Sequence, residues 1–319
     1  MNTTAIVLEQ PEHLMLSRLD LTPPADDDVV VDIEYSGIST GTEKLLWNGR
    51  MPTFPGMGYP LVPGYESVGR IVEAGRLAKH RVGERVFVPG ARCYGEVRGL
   101  FGGAASRVVV SDQRITPVSD TLGDRSVLLA LAATAYHSVS GAGQRNPIVP
   151  PDLIVGHGVL GRLLARMVVV AGFAPPTVWE TNPQRMSGAE GHGYPVIKPE
   201  DDVRRDYRAI YDVSGDSKIL DSLVARLAPG GEIVLAGFYT EPIAFAFAPA
   251  FMREAQIRCA AEFKRPDLLA VKELAETGVL SLDGLITHHA EPMQADAAYR
   301  TAFGDAGCLK MVLDWRHCQ

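Results

Sequence analysis

The sequence predicts an α/β protein in which a doubly wound parallel sheet is joined to a β-rich domain. Three observations predict it. Short β-branched runs crowd residues 1–120. From residue 152 apolar strand-like runs alternate with helix-like ones. Three glycines, Gly156, Gly158 and Gly161, lie where the first such strand meets the first such helix. Strands that alternate with helices bury both faces of a parallel sheet through right-handed crossovers.

The elements follow in order. AIVLEQ, DVVVDIEYSG, SVGRIVEAG, RVFVPG and SRVVVSD read as strands, separated by Gly, Pro and Asp. DRSVLLALAATAYHSVSGAG then reads as a helix, with Asp124 as its N-cap. DLIVGHG is a strand, VLGRLLARMVVVAG a helix and TVWET a strand. AIYDVSG and EIVLAGF are further strands, with SKILDSLVARLAPGG as the helix between them. After about residue 265 the chain offers a helix (DLLAVKELAETG), a turn (LITHHAEP), another helix and a last strand, LKMVLDW. This tail is expected to rejoin the N-terminal β domain. The expected division is therefore 1–123 with 265–319, and 124–264. No internal repeat or low-complexity tract interrupts it.

Composition narrows the function. A chain of 319 residues holds two domains or one interrupted one. The net charge of -7 argues against a nucleic-acid partner, which calls for a basic face. Cys93, Cys259, Cys308 and Cys318 lie far apart with no CxxC pair, so neither a zinc knuckle nor a disulfide framework is indicated. MNTTAIVLEQPEH has no basic start and no long apolar run, so no signal peptide is expected. No window reaches the roughly 18 apolar residues of a membrane span. A cytoplasmic protein with no transmembrane segment is the expectation.

The glycine pattern carries the first chemical reading. In LIVGHGVLGRL, Gly156 permits the tight turn, Gly158 lets backbone approach a pyrophosphate and Gly161 lets helix pack on strand. His157 is expected to face solvent near the phosphates. Val159 and Leu160 open the helix whose free N–H groups meet those phosphates. Glu180 ends the second strand, 19 residues after Gly161. A carboxylate there accepts hydrogen bonds from both ribose hydroxyls and repels a 2′-phosphate, which selects NAD over NADP. Arg185, five residues on, pulls the other way. Val213 and Ser214 in DVSG, and Gly237 in VLAGF, lie at ends of later strands, where such sheets bind ligands.

GISTGTE, PGYESVGRIVEAG, RVGERVFV, TAYHSV, the glycine unit, LAPGGEIVLAG and LITHH occur in this order along nearly the whole chain. Together they resemble the medium-chain dehydrogenase/reductase superfamily. The resemblance implies a GroES-like catalytic domain, a Rossmann cofactor domain and nicotinamide-dependent hydride transfer. Zinc-dependent members place a Cys after GI, a His before the Glu of PGHE, and a Cys or Glu before the TAYH-type helix. Ser39, Tyr65 and Ala130 stand at those positions here, and the cysteine-rich lobe for structural zinc is missing. Zinc requires about four N, S or O donors, so a zinc-free enzyme is expected.

The resemblance places the nicotinamide beside the vacated positions, which makes their residues the catalytic candidates. Ser39, Thr40 and Tyr65 can bond the alcohol oxygen or relay its proton. Glu66 can accept that proton, although in zinc relatives this Glu stands behind the metal. His137 is a candidate because histidine as a residue type suits proton transfer, but a His on an apolar helix is commonly a core residue. His288 reads as a structural turn. Which group is the base stays open at this point.

The loop SGISTGTEKLLWNGRMPTFPGMGYPLVPGYESVGRIV further resembles members of the superfamily that oxidise a tetrapyrrole alcohol. That resemblance alone implies the small-molecule tetrapyrrole substrate. Trp47, Met51, Phe54, Met57, Tyr59 and Tyr65 can supply a flat apolar wall for the ring, and Arg50 a partner for a propionate. Two alternatives stand beside this reading: a zinc-free NADPH-dependent quinone or enone reductase, and an NAD-binding protein without catalysis. FAFAPAFMREAQIRCAAEF is rich in β-forming apolar residues. In the superfamily the corresponding strand pairs across a dimer, so a homodimer is expected.

Overall fold

The structure, a computed structural model, describes every residue except Asn146 and Gln319, and the counts below refer to the described residues. The chain divides into two compact units, Met1–Ala130 with Asp283–Gln319, and Leu131–Leu282.

The first unit is β-rich. A sheet of four strands runs in the order His13–Asp20, Asn2–Gln10, Leu61–Val62, Arg98–Gly99. A seven-stranded sheet is centred on Asp28–Ile38, the run read from DVVVDIEYSG. This strand pairs with Ser67–Ala74, Arg107–Ser111 and, from the tail, Met311–Asp314. The shared core gathers Ile6, Val30, Ile33, Val86, Val108 and Trp315. Val30, Val31 and Ile33 are fully buried, as a strand packed on both faces requires.

The second unit is a parallel sheet in the order Val196–Ile197, Thr177–Trp179, Leu153–Val155, Tyr207–Asp212, Leu227–Leu235, Gln256–Cys259. Numbered along the chain, this is 3-2-1-4-5-6. The order reverses between Leu153–Val155 and Tyr207–Asp212, and a crevice opens at the carboxyl ends of strands at such a point.

Four local expectations are corrected. The helix expected to start at Asp124 begins as a 3₁₀ segment at Asp120, where the Ser119 hydroxyl accepts from Thr121 N, and becomes α-helical over Leu129–Ser140. Asp124 instead meets His289 at 2.7 Å. The helix expected through LAPGG is confined to Leu220–Val224, because LAPGG opens strand Leu227–Leu235. Pro229 and Gly230, the latter at φ +72°, cannot continue a helix. FAPAFM is a helix, Phe247–Met252, followed by edge strand Gln256–Cys259. The chain returns to the first unit at Asp283 rather than at residue 265. The reason is Asp267 in helix Arg265–Glu276, which is buried and bonded to His137, Ser140 and Lys264, all within the second unit.

Candidate active site

The first unit carries a buried polar cluster where strand Asp28–Ile38 runs into the GISTGTE turn. Gly37 N donates to Glu66 O at 2.8 Å. A Cβ on Gly37 would lie 2.4 Å from Glu66 Oε2, so only glycine lets this carboxyl sit against the strand. Ser39 is buried, and its Oγ lies 2.6 Å from the Tyr65 hydroxyl. Helix Thr42–Trp47 carries Glu43 in its first turn. Glu43 Oε1 accepts from Ser39 N at 3.3 Å, and Oε2 accepts from Tyr299 Oη at 2.9 Å. Lys310, on the residue before strand Met311–Asp314, donates from Nζ to Glu66 Oε2 at 2.6 Å and to Ile38 O at 3.1 Å. Glu66 Oε1 is buried and accepts no hydrogen bond among the described residues.

Electrostatics follow from that burial. Desolvation pushes the Glu43 carboxyl up to about 8, helped by the negative charge of Glu66. Burial also raises Glu66, while the Lys310 ammonium pulls against the rise. The Tyr65 phenol is raised by burial and by Glu66, so it stays protonated and keeps a hydrogen to donate. The cluster therefore brings together a coupled hydroxyl pair, Ser39 and Tyr65, a buried carboxyl with one unpaired oxygen, and a buried cation. Such an arrangement can hold an alcohol oxygen and receive its proton.

Of the sequence candidates, Ser39, Tyr65 and Glu66 come together here, with Thr40 half-buried beside Ser39. Sequence reasoning gave no role to Glu43, Tyr299 or Lys310. One signal for Lys310 was present: a lysine entering the apolar run MVLDW needs a buried acid as partner. His137 belongs to the other unit, and its Nδ1 lies 2.7 Å from Asp267 Oδ2. This contact ties helix Leu129–Ser140 to helix Arg265–Glu276. His288 opens the short strand His288–Ala290 and bonds its neighbour Thr287.

Positions that hold metal ligands in zinc-dependent relatives carry Ser39, Tyr65 and the buried apolar Ala130. Neutral hydroxyls and a methyl are poor zinc donors. Among the described residues no group of three or more His, Cys, Asp or Glu side chains is placed to hold a metal.

The aromatic loop divides. Met51 is buried with Leu8, Leu46, Leu61 and Leu100, so its apolar surface is spent on the core rather than on a wall. Tyr59 Oη donates to Leu46 O, and Trp47 packs on Phe303 with ring centroids 5.5 Å apart. Phe54 and Arg50 remain exposed.

In the second unit the glycine loop has the shape a dinucleotide needs. Gly156 has φ +107°, a region that favours glycine. A Cβ on Gly158 would meet nothing within 4 Å, leaving room for a pyrophosphate. A Cβ on Gly161 would lie 1.9 Å from Gly156 O. Helix Val159–Val170 has no side-chain cap hydrogen bond at its N-terminus, which leaves N–H groups for an anion. Gly156, Ser214 and Gly237 converge at the carboxyl ends of the central strands, where Val213 N donates to Val155 O and Gly237 N to Asp212 O. These residues fit a dinucleotide. We expect Gly161→Ala to weaken dinucleotide binding at least about tenfold and destabilise the chain by about 1–3 kcal/mol, because the new methyl meets backbone; calorimetric titration and urea unfolding read both.

Three residues depart from their expected settings. His157 is buried, not solvent-facing. Its Nδ1–H donates to Arg185 O at 2.6 Å and its Nε2 accepts from Tyr194 Oη at 3.0 Å, which fixes a neutral tautomer. Arg162 also donates to Arg185 O, so Arg185 contributes a carbonyl to the wall of this loop. Glu180 caps backbone: Oε2 accepts from His157 N, and Oε1 from Thr181 N and Asn182 N. Burial lowers the His157 ring to about 4 from 6.5. A depressed histidine contributes stability above its unfolded value, and that contribution is lost as pH falls from about 6.5 to about 4. Urea unfolding of wild type against His157→Gln should show up to about 3 kcal/mol of this acid-side loss in wild type only.

Comparison with known proteins supports this fold. The alcohol dehydrogenase GroES-like domain family matches residues 25–120. The chain is 56% identical over 99% of both chains to 2-desacetyl-2-hydroxyethyl bacteriochlorophyllide A dehydrogenase of Cereibacter sphaeroides. It is 55% identical, again over 99% of both, to the protein of that name from Rhodobacter capsulatus. Among solved structures, an alcohol dehydrogenase of Escherichia coli complexed with NADH superposes with TM-score 0.83 at 22% identity, covering 98% of this chain and 99% of that one. At that identity the superposition shows the fold alone.

Proposed function

The chain belongs to the medium-chain alcohol dehydrogenases, in the group of the bacteriochlorophyllide dehydrogenases, and from that premise we propose that it oxidises the 3-(1-hydroxyethyl) group of a bacteriochlorophyllide to acetyl, with NAD and without zinc. The observation that carries the zinc-free part is the replacement of metal-ligand positions by the Ser39–Tyr65 hydroxyl pair beside Glu66 and Lys310.

NAD, when bound, supplies the acceptor for the hydride leaving the carbinol carbon. The chain's residues handle the rest. Gly156, Gly158, Val159, Leu160 and Gly161 hold the pyrophosphate by backbone. Glu180 supports NAD over NADP, since a carboxylate at this strand end repels a 2′-phosphate. Ser39 Oγ and Tyr65 Oη hold the alcohol oxygen, with Thr40 beside them. The carbinol proton leaves to this pair, and Glu66 Oε1 is the open acceptor available to take it. Lys310 keeps the carboxyl in place and offsets the negative charge that develops as the alcohol loses its proton. Phe54 supports a ring contact and Arg50 a propionate contact. Trp47, Met51 and Tyr59 shape the loop from beneath.

A homodimer is part of this reading. Gln256–Cys259 is the edge strand of the parallel sheet, and Phe247, Phe251 and Met252 beside it are exposed. Sedimentation equilibrium should give a dimer for wild type and monomer for Phe251→Asp. A monomeric wild type would remove the dimer from the account.

The functional reading is tested by mixing purified protein with NAD and the hydroxyethyl bacteriochlorophyllide, and following pigment and NADH absorbance together. Both bands should move in step with NAD and far more slowly with NADP. Cofactor binding without turnover would favour the inactive NAD-binding alternative. Turnover of quinones or enones with NADPH would favour the reductase.

A further inference from the structure

Two acidic side chains and one basic one share a buried cluster of the first unit, and their charges do not balance. Glu43 and Glu66 are two carboxyls, and Lys310 is one ammonium. Lys310 Nζ is committed to Glu66 Oε2 at 2.6 Å and to Ile38 O. Glu43 has no cation of its own: its oxygens accept from Ser39 N and from the Tyr299 hydroxyl. Lys44, the next residue along its helix, is exposed and donates to Phe303 O. The other titratable groups facing Glu43 are Tyr299, on helix Ala295–Gly304, and Tyr65. Two buried carboxylates facing one ammonium leave a net negative charge in a dry site, and a retained proton removes it.

We infer that Glu43 is a positioning residue of the oxidation, acting as a neutral carboxyl that holds the Ser39 amide and balances the cluster, and that its ionisation slows the reaction. The inference rests on the functional reading above. The alcohol gives up its O–H proton as its carbon gives up hydride, so negative charge grows on the oxygen held by Ser39 and Tyr65. A second carboxylate behind Ser39 opposes that growth through a low-dielectric interior. A neutral carboxyl does not. It still accepts from the Ser39 amide and from the Tyr299 hydroxyl. Burial raises the Glu43 carboxyl to about 8, so its proton is present at neutral pH and leaves on the alkaline side. This sign is opposite to that of simple alcohol oxidation, which alkali favours.

Glu43→Gln is the test, because a carboxamide keeps the shape of the carboxyl and cannot ionise. Wild-type kcat should fall on the alkaline side with an inflection near 8. Glu43→Gln should keep kcat at neutral pH to within about threefold and lack that inflection. A loss of about a hundredfold or more at neutral pH would make Glu43 the base rather than a neutral support, and would overturn the inference. An unchanged inflection in the variant would overturn it too. Infrared difference spectra on substrate-free protein separate this from the functional reading. Wild type at neutral pH should show the C=O stretch of a buried protonated carboxyl, absent from Glu43→Gln. If wild type fails to turn the pigment over but shows this band, the substrate assignment falls and the neutral Glu43 stands. If the band is missing, the inference falls whatever the kinetics.

Discussion

Lys310→Met is expected to destabilise the chain by about 3–5 kcal/mol and to lower kcat as well, the largest stability effect of any single change in the cluster. The ammonium is buried 2.6 Å from a carboxyl that is itself fully buried. Methionine fills a similar volume but leaves Glu66 without a counter-ion, so the carboxyl must either remain charged in a dry site or take up a proton. A carboxyl that takes up a proton is no longer an acceptor, and one that stays charged carries the full desolvation cost. Glu66→Gln in the same chain removes the stranded charge. The double variant should recover most of the stability while remaining slow, because no proton acceptor returns. Urea unfolding and steady-state kinetics on the single and double variants separate the two effects. Equal destabilisation in both would show that Lys310 acts by packing, not by charge.

Tyr65→Phe is the second large effect, and it falls on rate. The phenol lies 2.6 Å from Ser39 Oγ, and burial keeps its proton in place. Removing that oxygen leaves the ring contact with Phe101, at 5.3 Å between centroids, so the loop should keep its shape. The loss should therefore appear in kcat, by about a hundred- to a thousandfold, with little change in NAD affinity. A rise in KM with kcat intact would mean that Tyr65 binds the ground state only.

Much of the fold was legible because its signals are local. Alternating strand and helix runs after residue 152 gave the parallel sheet, and the β-branched runs before residue 120 gave strands such as Asp28–Ile38. Where the reading failed, a neighbour distant in sequence decided the outcome. LAPGG was drawn into a strand by pairing with Tyr207–Asp212. Helix Arg265–Glu276 stayed in the second unit because Asp267 found His137.

The site was legible in part for the same reason. Ser39, Tyr65 and Glu66 were visible because they occupy motif positions. Lys310 was not, since it meets Glu66 across 244 residues of sequence through the register Met311↔Ile38. Tyr299 reaches Glu43 across 256. His157 looked solvent-facing because glycine loops commonly are, and only Arg185 O and Tyr194 show why this ring turns inward.

The central claim is that hydroxyls and a buried Glu–Lys pair do here what a metal does in zinc-dependent relatives. The most direct measurement follows the rate of pigment oxidation by NAD against measured metal content, in chelator-treated protein and again after zinc is added back. The account predicts full turnover at substoichiometric metal and no gain from zinc. A rate that falls with the chelated fraction and returns in proportion to bound zinc would contradict it.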